Sequence, residues 1–311
     1  MEMDVSAITV TFNSAPYIAA CLKSILEQEG VRVEIVVIDN ASSDETTKIV
    51  RALGASVRLL ANQENIGFGR ACNQGFAESR GRYLFLLNPD AWLERRDSLA
   101  RLCRTMEQNP RWGLAGTRVL ELDKTSECPP ATSYPDQQHV HCDFSQLPGG
   151  IAWVLGASMF IRREVFARVG GFDPGFFLTS EETDLCLRIR QLGWEIGHVR
   201  EVTARHIGMG SECGTDPYIT WLRRAPGLYR FWLKYYPSND VRRLLWKEWF
   251  RANFRRQWYA TLARLPCADS KAARKHRQYS GISEAAWKFL TANQDKLATG
   301  AIRPADAPRR L

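Results

Sequence analysis

The chain has 311 residues, enough to bury a sizeable core, and its 45% hydrophobic and 24% charged residues are ordinary globular values that exclude disorder. The net charge of +8 is unevenly divided, because residues 1–213 carry 22 basic and 27 acidic side chains whereas residues 214–311 carry 20 and 7. We therefore expect two domains, 1–213 and 214–311, that meet different partners.

Only a few features of the sequence indicate the cellular location of the protein. No apolar run approaches ~18 residues, so the sequence predicts no ordinary membrane-spanning helix. The acidic start, Met-Glu-Met-Asp-Val, lacks the features of a signal peptide. The eight cysteines are scattered, without a Cys-x-x-Cys pair, which favours a reducing compartment. These features predict a cytoplasmic protein.

The first third of the chain alternates between apolar runs and helical patterns. Strands are predicted at residues 6–12, 33–38, 57–60 and 83–87. Helices are predicted to follow the first three strands, with Asn13 or Ser14 capping the first and the Ser-Ser-Asp-Glu sequence at 42–45 forming a capping box for the second. This alternation predicts an α/β fold with a mostly parallel, Rossmann-like sheet and flanking helices.

Polar side chains follow several of these strands. The run of five large apolar residues at 83–87 suits a strand that is covered on both faces, and Pro89 ends it just before Asp90. Thr11, Asn13 and Asp39 stand at the corresponding ends of the first two strands. Ligands bind at this edge of open α/β sheets, so these side chains are expected to line one crevice.

The middle of the chain is less informative. A helix near 99–109 and a strand near 114–119 are predicted, and strand character returns at 153–161, where Gly156 leaves room for a ligand or backbone. Between them lies a loop rich in Pro, Ser and Asp, for which a surface loop is the preferred interpretation. A zinc site is the alternative, although its spacing fits no common template; its ligands would be Cys128, His139, His141 and Cys142.

A second cluster of carboxylates begins a helix after residue 180. Ser180 is the expected N-cap, and acidic residues in a first turn are stabilised by the helix dipole. Asp184 and Arg188 are spaced i, i+4 and are predicted to form a structural ion pair. Glu181 and Glu182 would then face the crevice.

Residues 10–13, 38–44, 65–73 and 86–90 together resemble successive signatures of family 2 glycosyltransferases, which have the GT-A fold. Gly-Gly-Phe-Asp at 170–173, followed by two aromatic residues and the acidic helix, resembles the acceptor-side signature of these enzymes. The resemblance covers about residues 5–212 and is strongest for the branch that contains bacterial rhamnosyltransferases.

The resemblance implies roles for individual residues. Glu182 would be the catalytic base, with Glu181 as the alternative, and Asp90 and His206 would hold Mg²⁺ or Mn²⁺ on the donor diphosphate. Asn-Pro-Asp at 88–90 stands where many relatives have Asp-x-Asp, so one carboxylate is missing. Asp39 would contact the nucleotide base. The other nucleotide-binding candidates are Thr11, Asn13, Asn65, Gly67, Asn73 and Asn88.

The implied activity is inverting, metal-dependent transfer of a sugar, with a rhamnose-like sugar favoured, from a nucleotide-diphosphate sugar. The acceptor would be a hydroxyl of a glycan or lipid-linked molecule in cell-surface polysaccharide synthesis. The alternative is a sugar-nucleotide-binding or membrane scaffold protein without turnover. A nucleotidyltransferase is disfavoured, because the chain has no Gly-rich phosphate loop after its first strand.

The segment 214–311 is basic and rich in aromatic residues. A helix over 240–262 would gather an apolar stripe with Arg and Lys on the opposite face; the stripe consists of Trp246, Phe250, Phe254, Trp258 and Leu262. We expect this helix to contact an anionic membrane on its cytoplasmic face. Packing on the catalytic domain, or on a second subunit in a homodimer, is the alternative. A nucleic-acid partner is not expected, and a frayed end is predicted from about residue 268.

Overall fold

The computed structural model describes residues 3–121, 127–208, 215–264 and 270–298. These residues form two compact units. The first contains residues 3–121, 127–134, 145–175 and 181–208, and the second contains residues 135–144, 176–180, 215–264 and 270–298. The domain boundary that the sequence predicts between residues 213 and 214 lies outside the described residues.

The first unit is an α/β domain. Its strands are β1 (Val5–Thr11), β2 (Val33–Asp39), β3 (Arg58–Ala61), β4 (Tyr83–Leu87), β5 (Ala91–Leu93), β6 (Trp112–Glu121), β7 (Glu127–Cys128), β8 (Ser158–Arg162) and β9 (Glu195–His206). Its helices are α1 (Ile18–Leu26), α2 (Thr46–Arg51), α3 (Phe68–Ala77), α4 (Ser98–Gln108), α5 (Arg163–Arg168) and α6 (Glu181–Gln191). The predicted alternation of strands and helices is confirmed in the first third of the chain.

The strands form one sheet of order β3-β2-β1-β4-β8-β6-β9-β5, with β7 paired to β6. The strands β3, β2, β1 and β4 are parallel, as the sequence predicts. Beyond β4 the sheet is mixed, because β8 runs antiparallel to both β4 and β6. The strands β6 and β9 are again parallel to each other, whereas β5 is antiparallel to β9, so the unbroken parallel run is confined to β3, β2, β1 and β4.

The sheet is buried on both faces, which explains the unbroken apolar runs in its strands. Alternate residues of β4 belong to two different clusters: Phe85 packs with Ile18 and Leu99 from α1 and α4, whereas Leu84 packs with Phe166 from α5 on the other face. Parallel strands that are covered in this way need apolar side chains at every position.

Two helix starts differ from the sequence prediction. The N-cap residue of α1 is Tyr17, and no side chain caps this helix. Asn13 and Ser14 instead form hydrogen bonds with residues about 30 positions away. Their backbone amides donate to side-chain hydroxyls, and the Asn13 side chain accepts from a backbone amide. The second helix, α2, begins at Thr46 and makes no capping box. The polar residues before both helices are recruited by long-range contacts that a local pattern cannot reveal.

The second unit is helical. Its long helices are α7 (Pro217–Tyr235), α8 (Ser238–Leu262) and α9 (Ser270–Ala292), followed by the short α10 (Gln294–Ala298). The helix α9 packs against both α7 and α8, so the prediction of a frayed end is wrong for residues 270–298. No helix in the described part of the chain is long and apolar enough to cross a membrane.

The predicted amphipathic pattern of α8 also needs correction. The four aromatic residues of the stripe are exposed, as expected, but Arg242, Arg243 and Lys247 lie on the same side and are exposed with them. The opposite side of the helix is apolar and buried, and it includes Val241 and Leu245.

The alternative of a zinc site in the loop at 128–142 finds no support, since the described residues, including all four proposed ligands, form no group of three or more potential metal-binding side chains.

Candidate active site

The candidate site lies at the carboxyl ends of β1, β2 and β4 in the first unit. Thr11, at the end of β1, is paired with Asp39, at the end of β2. The strand β4 runs parallel to β1 on its other side, with Ile8 opposite Leu86. The turn that contains Asp90 therefore leaves the sheet at the same edge as Thr11 and Asp39.

Asp39 is held by a set of hydrogen bonds at this edge. The hydroxyls of Thr11 and Ser42 donate to Oδ1 at 2.8 and 2.5 Å, and the Ser42 amide donates to Oδ2 at 2.9 Å. The residue is only 1% exposed. A carboxylate has about four acceptor positions, so three bonds leave one on Oδ2. This geometry fixes the orientation of the carboxylate and leaves capacity for one further donor.

Asn13 joins the same network. Its backbone amide donates to the Ser42 hydroxyl at 2.8 Å, and its side-chain oxygen accepts from the Ser43 backbone amide at 2.9 Å. The backbone of Asn13 has φ 50°, in the left-handed region that asparagine tolerates. The turns after β1 and β2 are thus tied together into one rigid rim.

The segment around Gly67 contributes mainly to structure. The Asn65 side chain accepts a hydrogen bond from the Gly67 amide at 3.0 Å. The Asn73 side chain donates a hydrogen bond to the backbone carbonyl of Phe172 and accepts one from its backbone amide, each at 2.9 Å. A Cβ at Gly171, which has φ +69°, would lie 2.5 Å from the Asn73 side chain. Asn73 therefore anchors the turn before α6, and its nucleotide-binding role stays a prediction.

Asp90 and His206 are brought together by strand pairing. His206 is the last residue of β9 and lies opposite Ala91 in the antiparallel pair of β5 and β9. Its Nε2 atom is 3.3 Å from Asp90 Oδ1 and 3.4 Å from Asn88 Nδ2. The side chains of Asp90 and His206 are only 5% and 12% exposed.

This arrangement suits a divalent cation. A single Nε2 atom cannot accept a hydrogen bond from the Asn88 side-chain amide and donate one to Asp90 at the same time. An imidazole nitrogen and a carboxylate oxygen 3.3 Å apart are close enough to bind one divalent cation together, with the cation in place of the Asn88 N–H at Nε2. Two protein ligands leave the other coordination positions to oxygen atoms, such as those of a phosphate.

Glu182 and Glu181 begin α6 but differ in exposure. Glu181 is buried, with 6% of its surface exposed, whereas Glu182 is half-buried. The side chain of Glu182 lies beside Gly156, where an added Cβ would be 3.5–3.7 Å from its atoms. Glu182 is thus the more exposed carboxylate of the two.

The segment 156–158 connects Glu182 to the turn at Asp90. The Asn88 amide donates to the Ala157 carbonyl at 2.9 Å, and Ser158 is paired with Leu87 at the end of β4. Because Gly156 lies beside Glu182 and the next residue binds Asn88, the side chain of Glu182 and the Asp90–His206 pair lie at the same edge of the sheet.

The predicted ion pair of α6 is confirmed. Arg188 Nε donates to Asp184 Oδ2 at 2.7 Å, and the two side chains are 17% and 0% exposed. Arg188 also donates to the carbonyls of Val169 and Gly171 at 2.8 Å. The pair therefore fixes α6, and with it Glu182, to the turn that precedes the helix.

Two buried thiols border this site. Burial raises the pKa of Cys21 to about 12, and the nearby Asp90 charge acts in the same direction. Burial likewise raises the pKa of Cys186 to about 12, with Glu182 contributing. Both thiols stay protonated at neutral pH, so neither is a nucleophile there.

Sequence reasoning missed Ser42, which joins Asp39 to Asn13. The signal for it was present, since an Asp side chain commonly accepts a hydrogen bond from the backbone amide three residues on, as at helix N-caps. It also missed the amide pair of Asn62 and Gln74, whose side chains are joined at 2.9 Å and which link to Asn40. No sequence signal predicts that pair, because its members come from separate elements.

Comparisons with known proteins agree with this geometry. Residues 6–170 match the family model described as "Glycosyl transferase family 2", and residues 90–288 match "Glycosyl transferase family group 2". The N-acetylglucosaminyl-diphospho-decaprenol L-rhamnosyltransferase of Mycobacterium tuberculosis (strain ATCC 25618 / H37Rv) is 26% identical over 244 residues, which cover 68% of this chain and 78% of that protein. The succinoglycan biosynthesis protein ExoO of Rhizobium meliloti (strain 1021) is 41% identical over 100 residues, only 28% of its length and 32% of this chain.

Solved structures show the same fold. The mannosyltransferase PcManGT from Pyrobaculum calidifontis, in complex with GDP-Man and Mn²⁺, has a TM-score of 0.54 and 19% identity, covering 98% of this chain and 78% of its own. The S. aureus TarS 1-349 structure has a TM-score of 0.56 and 15% identity, covering 92% of both chains. The predicted GT-A fold with a helical C-terminal region is confirmed. Since the family 2 model spans more than half of the 311 residues, the chain belongs to glycosyl transferase family 2 and is a glycosyltransferase.

Proposed function

We propose that this protein transfers a sugar, with inversion at the anomeric carbon, from a nucleotide-diphosphate sugar to an acceptor hydroxyl. The observation that carries the proposal is the position of Glu182. It is a half-buried carboxylate beside Gly156, connected through Ala157 to the turn that contains Asp90. A base and a diphosphate site at one sheet edge are the two parts that this reaction needs.

Glu182 is the proposed base. An acceptor hydroxyl becomes a sufficient nucleophile when a carboxylate within hydrogen-bond reach accepts its proton as the new bond forms. Attack from the face opposite to the leaving diphosphate then gives inversion. Glu181 is less suited to this role, because its side chain is buried in the helix start. The Asp184–Arg188 pair positions Glu182 and does not itself contact the substrate.

Asp39, Thr11 and Asn13 form the proposed rim of the nucleotide pocket, and the remaining acceptor position on Asp39 Oδ2 would receive a base N–H. Asp90 and His206 would hold Mg²⁺ or Mn²⁺, which neutralises charge on the leaving diphosphate when it is bound. The complex of PcManGT with GDP-Man and Mn²⁺ supports the use of a divalent cation in this fold. TarS with bound UDP-GlcNAc supports a nucleotide-sugar donor.

A rhamnose-like donor sugar and a glycan or lipid-linked acceptor in cell-surface polysaccharide synthesis are the specific form of the proposal. They are supported by the similarity to the L-rhamnosyltransferase, whose name points to a diphospho-decaprenol acceptor, and to the succinoglycan biosynthesis protein. An acceptor of that kind is presented at a membrane, so we infer that the enzyme works on the cytoplasmic face of the cell membrane.

The experiment compares Glu182→Gln with the parent protein. A panel of nucleotide sugars is first scored for nucleotide release with Mn²⁺ to identify the donor. We expect Glu182→Gln to lower turnover by about 10²- to 10⁴-fold, since it removes the base, while the donor Kd measured by calorimetry stays within a factor of about three of the parent.

The matched control is Glu164→Gln, which changes an exposed glutamate in the first turn of α5 and should retain turnover. Near-parental turnover in Glu182→Gln would remove this residue from the mechanism. Tight donor binding without release from any nucleotide sugar, with acceptor extracts present, would instead favour a binding protein without turnover.

A further inference from the structure

We propose that the outward face of α8, together with Trp287 of α9, docks the protein on an anionic lipid membrane. We call this surface the aromatic face. Its side chains are large and exposed, with relative exposures of 38% for Trp246, 60% for Phe250, 73% for Phe254, 57% for Trp258 and 47% for Trp287. Among the described residues, only two other large apolar side chains are exposed, Leu26 and Phe177. Clustering of this kind marks an interaction surface.

The aromatic face is not needed to hold α8 in place. The helix buries a separate apolar side that includes Val241, Leu245 and Ala252, and Ala252 packs with Tyr279 and Ile282 of α9. A helix that covers a core on one side normally exposes polar residues on the other. The second apolar side of α8 therefore has a purpose other than folding of the helical unit.

Ring contacts make the upper part of the aromatic face continuous across two helices. The Trp246 ring lies 5.7 Å from Phe250 and 6.2 Å from Trp287. Trp249 lies behind them, 5.8 Å from Trp287. Rings in mutual contact keep their orientation and lose little conformational freedom when the surface is covered. The face is thus ready to be buried as it stands.

Basic side chains lie among the aromatic residues. Successive helix positions are about 100° apart, which places Arg243 and Lys247 on the same side of α8 as Phe250 and Phe254. Within the described residues, Lys247 and Arg242 have no carboxylate partner. The helix α8 contains six basic and two acidic residues, and α9 contains five and one. The two helices thus carry a net positive charge.

A cavity of about 440 Å³ adjoins the aromatic face and adds to this character. Arg243 and Lys247 line it from α8, and His139 and His141 line it from the segment 135–144. His141 and Arg243 also contact Asp240, which orients them at the cavity wall. Cationic and imidazole N–H groups around an open cavity fit the phosphate of a lipid headgroup.

The charge pattern favours a membrane over a protein partner. Interface cores between proteins are depleted in charged residues, whereas here the charges stand between the aromatic rings. Two copies of this chain would bring two positive faces together, which costs free energy. At an anionic bilayer, Trp and Phe enter the interface while Arg and Lys reach the phosphates. One anionic surface satisfies both kinds of side chain.

The test is co-sedimentation of the full chain with vesicles of phosphatidylcholine alone, or with about 30% phosphatidylglycerol added. It needs no nucleotide sugar, so its outcome is independent of the transferase activity. We expect binding to the anionic vesicles to exceed binding to the neutral ones by at least about tenfold. Binding should fall by a similar factor from 0.1 to 1 M salt, as the Debye length shrinks from about 10 to about 3 Å.

Two variants separate the contributions, each checked for native circular dichroism. Phe250→Ser/Phe254→Ser/Trp258→Ser should lower binding to anionic vesicles by at least about tenfold, and Arg242→Gln/Lys247→Gln should reduce its salt dependence. The matched control is Leu26→Ser, which removes an exposed apolar side chain elsewhere and should bind like the parent. Equal recovery with both vesicle types would overturn the proposal. So would a triple variant that keeps its vesicle binding; a change from dimer to monomer in light scattering would then identify the face as a subunit interface.

Discussion

Removal of the Arg188 guanidinium should destabilise the first unit far more than removal of a similar guanidinium at its surface. Arg188→Met leaves Asp184, which is 0% exposed, as a buried charge without this partner. It also removes the donor to the carbonyls of Val169 and Gly171. Breaking a buried ion pair on one side costs about 3–5 kcal/mol, so we expect a loss of that size in the free energy of unfolding.

The chain contains a matched control for this substitution. Arg101 and Asp97 are also spaced i, i+4 on a helix, and their atoms are also 2.7 Å apart, but both side chains are 36% exposed. Exposed pairs are weakened by solvent, and Arg95 remains beside Asp97 in the variant. Arg101→Met should therefore leave the unfolding midpoint nearly unchanged.

Urea denaturation measures both variants, with the transition of the first unit followed by circular dichroism of its β-structure. Similar midpoints for Arg188→Met and Arg101→Met would refute the argument that burial decides the contribution of the pair. Donor affinity should change little in Arg188→Met below the transition, because the residue acts on the orientation of α6. A selective loss of turnover would show that Glu182 has lost its position.

Two further predictions concern residues that border the site. Gly156→Ala should keep turnover, because the added Cβ would lie 3.5 Å or more from Glu182, whereas Gly156→Leu should lower it by crowding the carboxylate, as measured by nucleotide release and native circular dichroism. Cys21 and Cys186, both with the pKa raised to about 12 by burial, should resist iodoacetamide at pH 8 and react after denaturation, as peptide mapping would show; labelling in the native state would contradict their burial.

The sequence predicted those parts of the site that depend on strand ends. Thr11, Asp39 and Asp90 follow apolar runs, and the rule that ligands meet the carboxyl ends of parallel strands sufficed to bring them together. The Asp184–Arg188 pair was also predictable, since i, i+4 spacing is a property of the helix alone. The first inference needs only the repeated alternation of strand and helix, and the second needs only a single helix.

Other features depend on long-range contacts. Asn13 has the composition of a helix cap, yet its side chain binds Ser43, 30 residues away. The antiparallel direction of β8 was missed, because this strand is a short apolar run whose direction no periodicity reveals. On α8, repetition every four residues located the stripe, but the identity of the buried side depends on α9, whose long helix the composition did not predict.

The Asn88 side chain leads to a prediction about how metal and donor bind. Asn88 stands 3.4 Å from His206 at a position where a second carboxylate would double the negative charge beside the imidazole. With Asp90 as the one carboxylate of the Asp90–His206 pair, much of the attraction for a divalent cation must come from the donor diphosphate. We therefore expect Mn²⁺ to bind at least about tenfold more tightly when a nucleoside diphosphate is present, and the nucleotide to bind correspondingly more tightly with Mn²⁺.

Asn88→Asp should weaken this dependence, because the added carboxylate attracts the cation without help from the diphosphate. Electron paramagnetic resonance of free Mn²⁺ gives the affinity directly, with and without GDP or UDP. Asn109→Asp, at the end of α4, adds the same charge outside the site and should leave both affinities unchanged. Equal Mn²⁺ affinity with and without nucleotide in the parent protein would mean that Asp90 and His206 hold the cation by themselves, and the reasoning from a single carboxylate would fail.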